Sequence, residues 1–160
     1  MIKHKQIIKF DKFIANNLNL TEEITERNDL IKLIKDFDLI VVGSDQVWNY
    51  DITKNYLEDY LLTGINCNKI SYAASIGKNE INNEVRILFE RSLKDFDCIS
   101  LREKSSKDCL KEIYNNDYKI CVDPVFLLNK GWWENFARRS NYQNYKSEFI
   151  LIYMLEYNSI

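Results

Sequence analysis

The chain has 160 residues with 22 basic and 24 acidic side chains, a formal charge of −2, and 46% hydrophobic against 29% charged residues. This balance suits an ordinary globular protein of about one domain with a sizeable core and excludes a disordered chain. Charges of both signs interleave, so there is no basic footprint for nucleic acid or an anionic membrane, and no apolar run approaches the ~20 residues that cross a bilayer.

The basic start, Met1 to Lys5, is not followed by the apolar stretch of a secretory leader, which makes the cytoplasm the expected location. Thr21 is placed to cap a helix reaching about Phe37, with Ile24, Leu30, Ile31, Ile34 and Phe37 near helical spacing. Residues Asp38 to Gly43 form a β-branched run that reads as a strand buried on both faces. Lys69 to Ser75 is a second strand, with Tyr72 in the core. A helix over about Asn82 to Phe96 puts Val85, Leu88, Phe89, Leu93 and Phe96 on one side. Asp97 to Arg102 is a third strand. Ser105 or Ser106 is placed to cap the next helix, which carries Cys109, Leu110, Ile113 and Tyr114 inward. Tyr118 to Asp123 is a fourth strand, and Pro124 forbids its simple continuation.

A short helix is expected after Trp132 and Trp133. A polar stretch follows, and Phe149 to Leu155 reads as a further strand. Alternating strands and helices are the grammar of a parallel sheet with covering helices, joined by right-handed crossovers. The expected organisation is a Rossmann-like domain over 1–140, a linker at 141–147 and the start of a second domain at 148–160. Four cysteines lie far apart, with no C-x-x-C pair, and the single histidine, His4, sits in a charged terminal segment. No metal site is expected from such spacing, nor any cofactor. Cys98 and Cys121 read as small hydrophobes within strands.

Four small or polar clusters fall where strands end: Gly43 to Gln46, Ser75 to Gly77, Arg102-Glu103 and Asp123-Pro124. If the strands are parallel, all four emerge on the carboxyl edge of the sheet, where ligands bind in open α/β folds. Gly43 permits a sharp turn or a close ligand approach. Asp45 is a candidate acid or base, although Ser44 and Asp45 equally suit capping of a following turn. Trp48 can stack on a sugar or pack in the core. Ser75 and Gly77 suit a backbone anion nest. Arg102 offers a fork for carboxylate or phosphate, or else pairs with Glu103. Asp123-Pro124 reads best as a loop lock.

These residues carry a family likeness. Gly43-Ser44-Asp45-Gln46-Val47-Trp48-Asn49, Ser71-Tyr72-Ala73-Ala74-Ser75-Ile76-Gly77, Ser100-Leu101-Arg102-Glu103-Lys104-Ser105 and Val122-Asp123-Pro124-Val125-Phe126-Leu127-Leu128 resemble, in order, the motifs of the polysaccharide pyruvyl transferases. Trp133 and the strand at 149–155 continue the likeness, which spans about Asp36 to Leu155.

The resemblance implies one incomplete half of a GT-B-like fold, with two Rossmann-like domains facing across a cleft. It implies transfer of a pyruvyl group from phosphoenolpyruvate to hydroxyls of a saccharide acceptor, lipid-linked acceptors included, in surface or exopolysaccharide biosynthesis. Asp45 and Arg102 are then the candidate catalytic pair. Gly43, Ser44, Gln46, Trp48, Ser75 and Gly77 are candidate substrate-binding residues.

The family's opening strand and Asn/Gly loop have no counterpart before Thr21. The expectation is therefore a middle fragment without transferase activity of its own, since a cleft with one wall does not exclude water. A nucleotide-sugar glycosyltransferase on the same fold, or a non-catalytic remnant or interaction module, are the competing readings.

Overall fold

The structure, a computed structural model, describes residues 2–138 and 148, with side chains from Ile8 onward. Helix α1 (Ile2–Asn17) and helix α2 (Arg27–Ile34) precede strand β1 (Ile40–Val42). Two short helical turns, α3 (Tyr50–Thr53) and α4 (Leu57–Tyr60), lead to β2 (Lys69–Ala74). Helix α5 (Asn83–Leu93), strand β3 (Cys98–Leu101), helix α6 (Lys104–Lys111) and strand β4 (Lys119–Ile120) follow. The four strands form one parallel sheet in the order β1-β2-β3-β4, with Ile40 opposite Lys69, Ile70 opposite Cys98 and Leu101 opposite Ile120.

The chain is thus α/β, a parallel sheet flanked by helices. Parallel pairing sends every strand's carboxyl end to the same edge, so the strand-end clusters converge as their positions predict. The core beneath that edge is built on Trp48, Phe89, Leu93, Phe96, Leu101, Leu110 and Tyr118. Trp48 packs edge-on against Phe89 and Phe96, and its Nε1–H donates to the Tyr60 carbonyl at 3.1 Å. Helix α5 starts where Asn82 accepts the Glu84 amide, and its Phe89 and Leu93 face the sheet.

Strand β2 is irregular between Ser71 and Ala74, where Ala73 takes φ +48°. A serine pair fastens the irregularity. Ser71 Oγ donates to the Ser100 carbonyl, Ser100 Oγ donates back to the Ser71 carbonyl, and Ser100 Oγ also accepts the Ala73 amide. Such bulges re-aim the chain next to functional sites.

Several sequence expectations are corrected. The basic start around His4, for which no element was expected, lies in helix α1 (Ile2–Asn17). The helix expected from Thr21 starts instead at Arg27, with Glu26 at its N-cap and no side-chain cap bond. Thr21, Ile24 and Thr25 are β-branched and weak helix formers, whereas the Arg27 guanidinium is tied to Asp59 and to the Thr63 carbonyl, which anchors the first turn there.

Strand β1 is not buried on both faces. Val41 is 51% exposed, on the face opposite the buried Val42. Cys98 is exposed rather than core, Cys121 half-buried, and Tyr72 half-buried. Ser105 and Ser106 lie inside α6, whose N-cap is Glu103.

Spatially the chain divides into Met1–Asp123 and Pro124–Ile160. In the second unit a 3-10 turn (Pro124–Leu127) precedes helix α7 (Lys130–Arg138). That helix contains Trp132 and Trp133 rather than following them, because the Asn129 side chain accepts the Trp132 amide and starts it earlier. Trp132 and Phe136 stack at 5.2 Å between ring centres. The expected linker at 141–147 and strand at 149–155 lie outside the described residues.

Candidate active site

Asp45 and Arg102 meet at the carboxyl edge, although 57 residues separate them: Nη1 of Arg102 lies 3.5 Å from the Asp45 carboxylate. Asp45 follows β1 at φ +72°, a left-handed conformation that Asp tolerates better than most residues. Its backbone is held on both sides: it bridges Ala74, and its carbonyl accepts the Ser75 amide at 2.9 Å. The carboxylate meanwhile stands 84% exposed. The backbone is thus fixed while the carboxylate stays open to solvent.

Arg102 leaves β3 with its amide bonded to the Ala74 carbonyl at 3.0 Å and its side chain three-quarters buried. Nε donates to Glu103 Oε1 at 2.7 Å, and Nη1 reaches Asp123 Oδ2 at 3.4 Å as well as Asp45. The hydrogen bond to Glu103 above all holds the Arg102 pKa above its ordinary value; burial opposes this, and Asp123 and Asp45 add to it. The guanidinium therefore stays charged. Two of its three nitrogens are engaged, and Nη2 has no hydrogen bond among the described residues. The fork expected for an anionic substrate is narrowed to that one edge.

Ser44 donates to Asp123 Oδ2 at 2.9 Å, joining the ends of β1 and β4. Asp123 thus acts as a lock between two strand ends. Gly43 has φ +119°, and a Cβ there would stand 2.3 Å from the Tyr72 carbonyl oxygen, so only glycine fits. Gln46 turns toward Gly77. Its Oε1 accepts from Asn49 at 2.6 Å, and a Cβ on Gly77 would meet that oxygen at 2.1 Å.

Two candidates are withdrawn from direct substrate contact. Trp48 is wholly enclosed by the core and offers no ring face for a sugar. Ser75 is likewise fully buried. The anion nest expected there is already satisfied internally, because Ser75 Oγ accepts the Gly77 amide and Ser106 Oγ accepts the Ile76 amide.

Sequence reasoning missed Lys78, whose ammonium sits 4.3 Å over the Tyr50 ring and pairs with Asp51; that hydrogen bond raises its pKa. It also missed the open cleft of about 590 Å³ beside Gly43, lined by Tyr56, Tyr60, Asp59, Glu23 and Glu26. No local sequence signal marks either feature, since both join segments distant in the chain. Among the described residues, no group of three or more His, Cys, Asp or Glu is arranged to hold a metal ion, and no helix is long and apolar enough to cross a membrane.

A family model described as polysaccharide pyruvyl transferase matches residues 2–160. The chain belongs to this family. Membership indicates a pyruvyl transferase of polysaccharide biosynthesis with a saccharide as acceptor. No curated protein and no solved structure matches the chain. Within this chain, Asp45 and Arg102 come together from two of the four motifs that suggested the family, and Ser44 and Asp123 tie a third to them.

Proposed function

We propose that this edge of the sheet is the donor side of a phosphoenolpyruvate-dependent transfer to saccharide hydroxyls, with Asp45 moving the proton and Arg102 meeting the donor's anion. The observation that carries the reading is the 3.5 Å approach of an exposed carboxylate to an engaged but still open guanidinium. The chemistry asks for this pair. Protonating C3 of the enol gives oxocarbenium character at C2, and a sugar hydroxyl adds there, losing its proton. A second hydroxyl then displaces phosphate, closing a cyclic ketal and releasing another proton. In this reading Asp45 gives the first proton and takes back one of the two that the hydroxyls lose, and the other leaves with the phosphate.

The Nη2 edge of Arg102 supplies a hydrogen-bond donor for the carboxylate or phosphate of the donor. The cleft beside Gly43, with its exposed Tyr56 and Tyr60 and nearby carboxylates, has the aromatic and acidic character that suits a sugar ring. In the proposed assembly this sheet is one wall of a GT-B-like pair of facing domains.

The test is thermal unfolding of the chain with millimolar phosphoenolpyruvate or a nucleotide sugar. Protection by phosphoenolpyruvate alone, lost in Arg102→Ala, supports the reading. Protection by the nucleotide sugar alone replaces it with a glycosyltransferase, and protection by neither favours a non-catalytic module.

A further inference from the structure

We propose that Glu103 is a positioning residue for Arg102, locked in place by Ser106, an inference that rests on the donor reading above. Arg102 presents its guanidinium at the end of a long side chain with several rotatable bonds, and of its three carboxylate partners Glu103 lies nearest. The Nη1 contacts to Asp123 and Asp45, at 3.4 and 3.5 Å, are at the limit of hydrogen bonding and act mainly through charge. The 2.7 Å bond from Nε to Glu103 is the contact that fixes the plane of the fork.

Glu103 is itself held. Its second oxygen accepts from Ser106 Oγ at 3.2 Å, and Ser106 is wholly buried on the first turn of α6. The same hydroxyl accepts the Ile76 amide at 3.2 Å. A continuous run of bonds therefore links the end of β2, through α6, to the guanidinium at the end of β3. An adjacent Arg–Glu pair in open solvent would have no such anchor and would contribute little. Here the buried serine fixes the glutamate, the glutamate fixes Nε, and Nη1 is left between Asp45 and Asp123, with Nη2 unengaged among the described residues. The charged groups that face this guanidinium among the described residues are Asp45 beyond β1, Glu103 beyond β3 and Asp123 beyond β4.

The test combines side-chain NMR with ligand binding on the whole chain. The Nε–Hε signal of Arg102, assigned by its loss in Arg102→Lys, is followed for hydrogen exchange without ligand and then titrated with phosphoenolpyruvate. Glu103→Gln keeps an acceptor oxygen and is expected to retain slow exchange and affinity within about threefold of the parent. Glu103→Ala, provided its amide spectrum stays that of the folded parent, is expected to exchange about tenfold faster and to bind phosphoenolpyruvate about tenfold more weakly. Ser106→Ala should fall between the two.

Exchange in the parent as fast as in a solvated arginine, or unchanged affinity in Glu103→Ala, overturns the proposal. Phosphoenolpyruvate that perturbs no residue of the parent defeats the donor reading instead. The exchange comparison, made without ligand, still decides whether Glu103 fixes the guanidinium.

Discussion

Ser44 and Asp123, 79 residues apart, share a 2.9 Å hydrogen bond that closes the carboxyl edge of the sheet from its first strand to its last. The same Asp123 oxygen lies 3.4 Å from Arg102, so one carboxylate fastens both the Asp45 loop and the arginine. Asp123→Ala should destabilise the fold by about 1–3 kcal/mol, and Ser44→Ala by about 0.5–1.5 kcal/mol. Urea unfolding of the single and double variants checks this. If the pair acts as the geometry indicates, the double variant costs less than the sum of the singles.

Asp45 combines a left-handed backbone with an exposed carboxylate, and substitutions separate the two. Asp45→Asn keeps a residue that tolerates this conformation and should change stability by no more than about 0.5 kcal/mol. Asp45→Val should cost about 1–2 kcal/mol, because a β-branched residue resists positive φ. If Asp45 moves the proton, the substitution matching Asp45→Asn in a family member that carries both walls of the cleft lowers phosphoenolpyruvate turnover about 10²–10⁴-fold while leaving donor binding nearly intact. Paired kinetic and binding measurements decide it.

The strands were readable in the sequence as short apolar runs between amphipathic stretches, β-branched in β1 and mixed with Ser, Ala, Tyr and Cys in β2 and β3. Their parallel direction followed from the alternation with helices. That was enough to bring Asp45 and Arg102 to one edge before any coordinates. What could not be read were the partners across long separations. Nothing local says that Asp123 answers Ser44, that Ser106 braces Glu103, or that Trp48 turns inward to Phe89 and Phe96. An aromatic after a strand-end loop has the same sequence signature whether it covers a ligand or fills the core. Helix α1 was missed because its strongly charged start gave no clear apolar stripe.

Lys69 is an exception to the rule that lysine stays at the surface. It is 1% exposed at the start of β2, and its ammonium donates to the carbonyls of Leu62 and Ile65, both at 3.0 Å. Lys69→Met keeps the side chain's length but leaves both acceptors without that donor. A loss of about 1–3 kcal/mol is expected in denaturant unfolding. An unchanged midpoint would mean the ammonium contributes nothing net.

Tyr118 gives the fold a defined weakness at high pH. Its ring is fully buried and its hydroxyl donates to the Tyr114 carbonyl at 2.7 Å. Burial, with a smaller contribution from Tyr114, pushes its pKa above the ordinary value of about 10. The folded chain then holds a proton that the unfolded chain releases, so stability is intact below about pH 10 and declines as pH rises further. Tyr118→Phe should flatten that alkaline decline, at the cost of about 1 kcal/mol at neutral pH. Thermal unfolding between pH 8 and pH 11 checks the sign, in the range where the unfolded tyrosine titrates.

The most direct test of the whole account is to map where phosphoenolpyruvate binds, by titrating isotope-labelled chain and following its amide and arginine side-chain signals. The account predicts shifts concentrated at Gly43 to Gln46, Arg102, Glu103 and Asp123, and their loss in Arg102→Ala. Shifts centred on the opposite edge of the sheet around Lys69, or none with phosphoenolpyruvate while a nucleotide sugar perturbs the same loops, would contradict it.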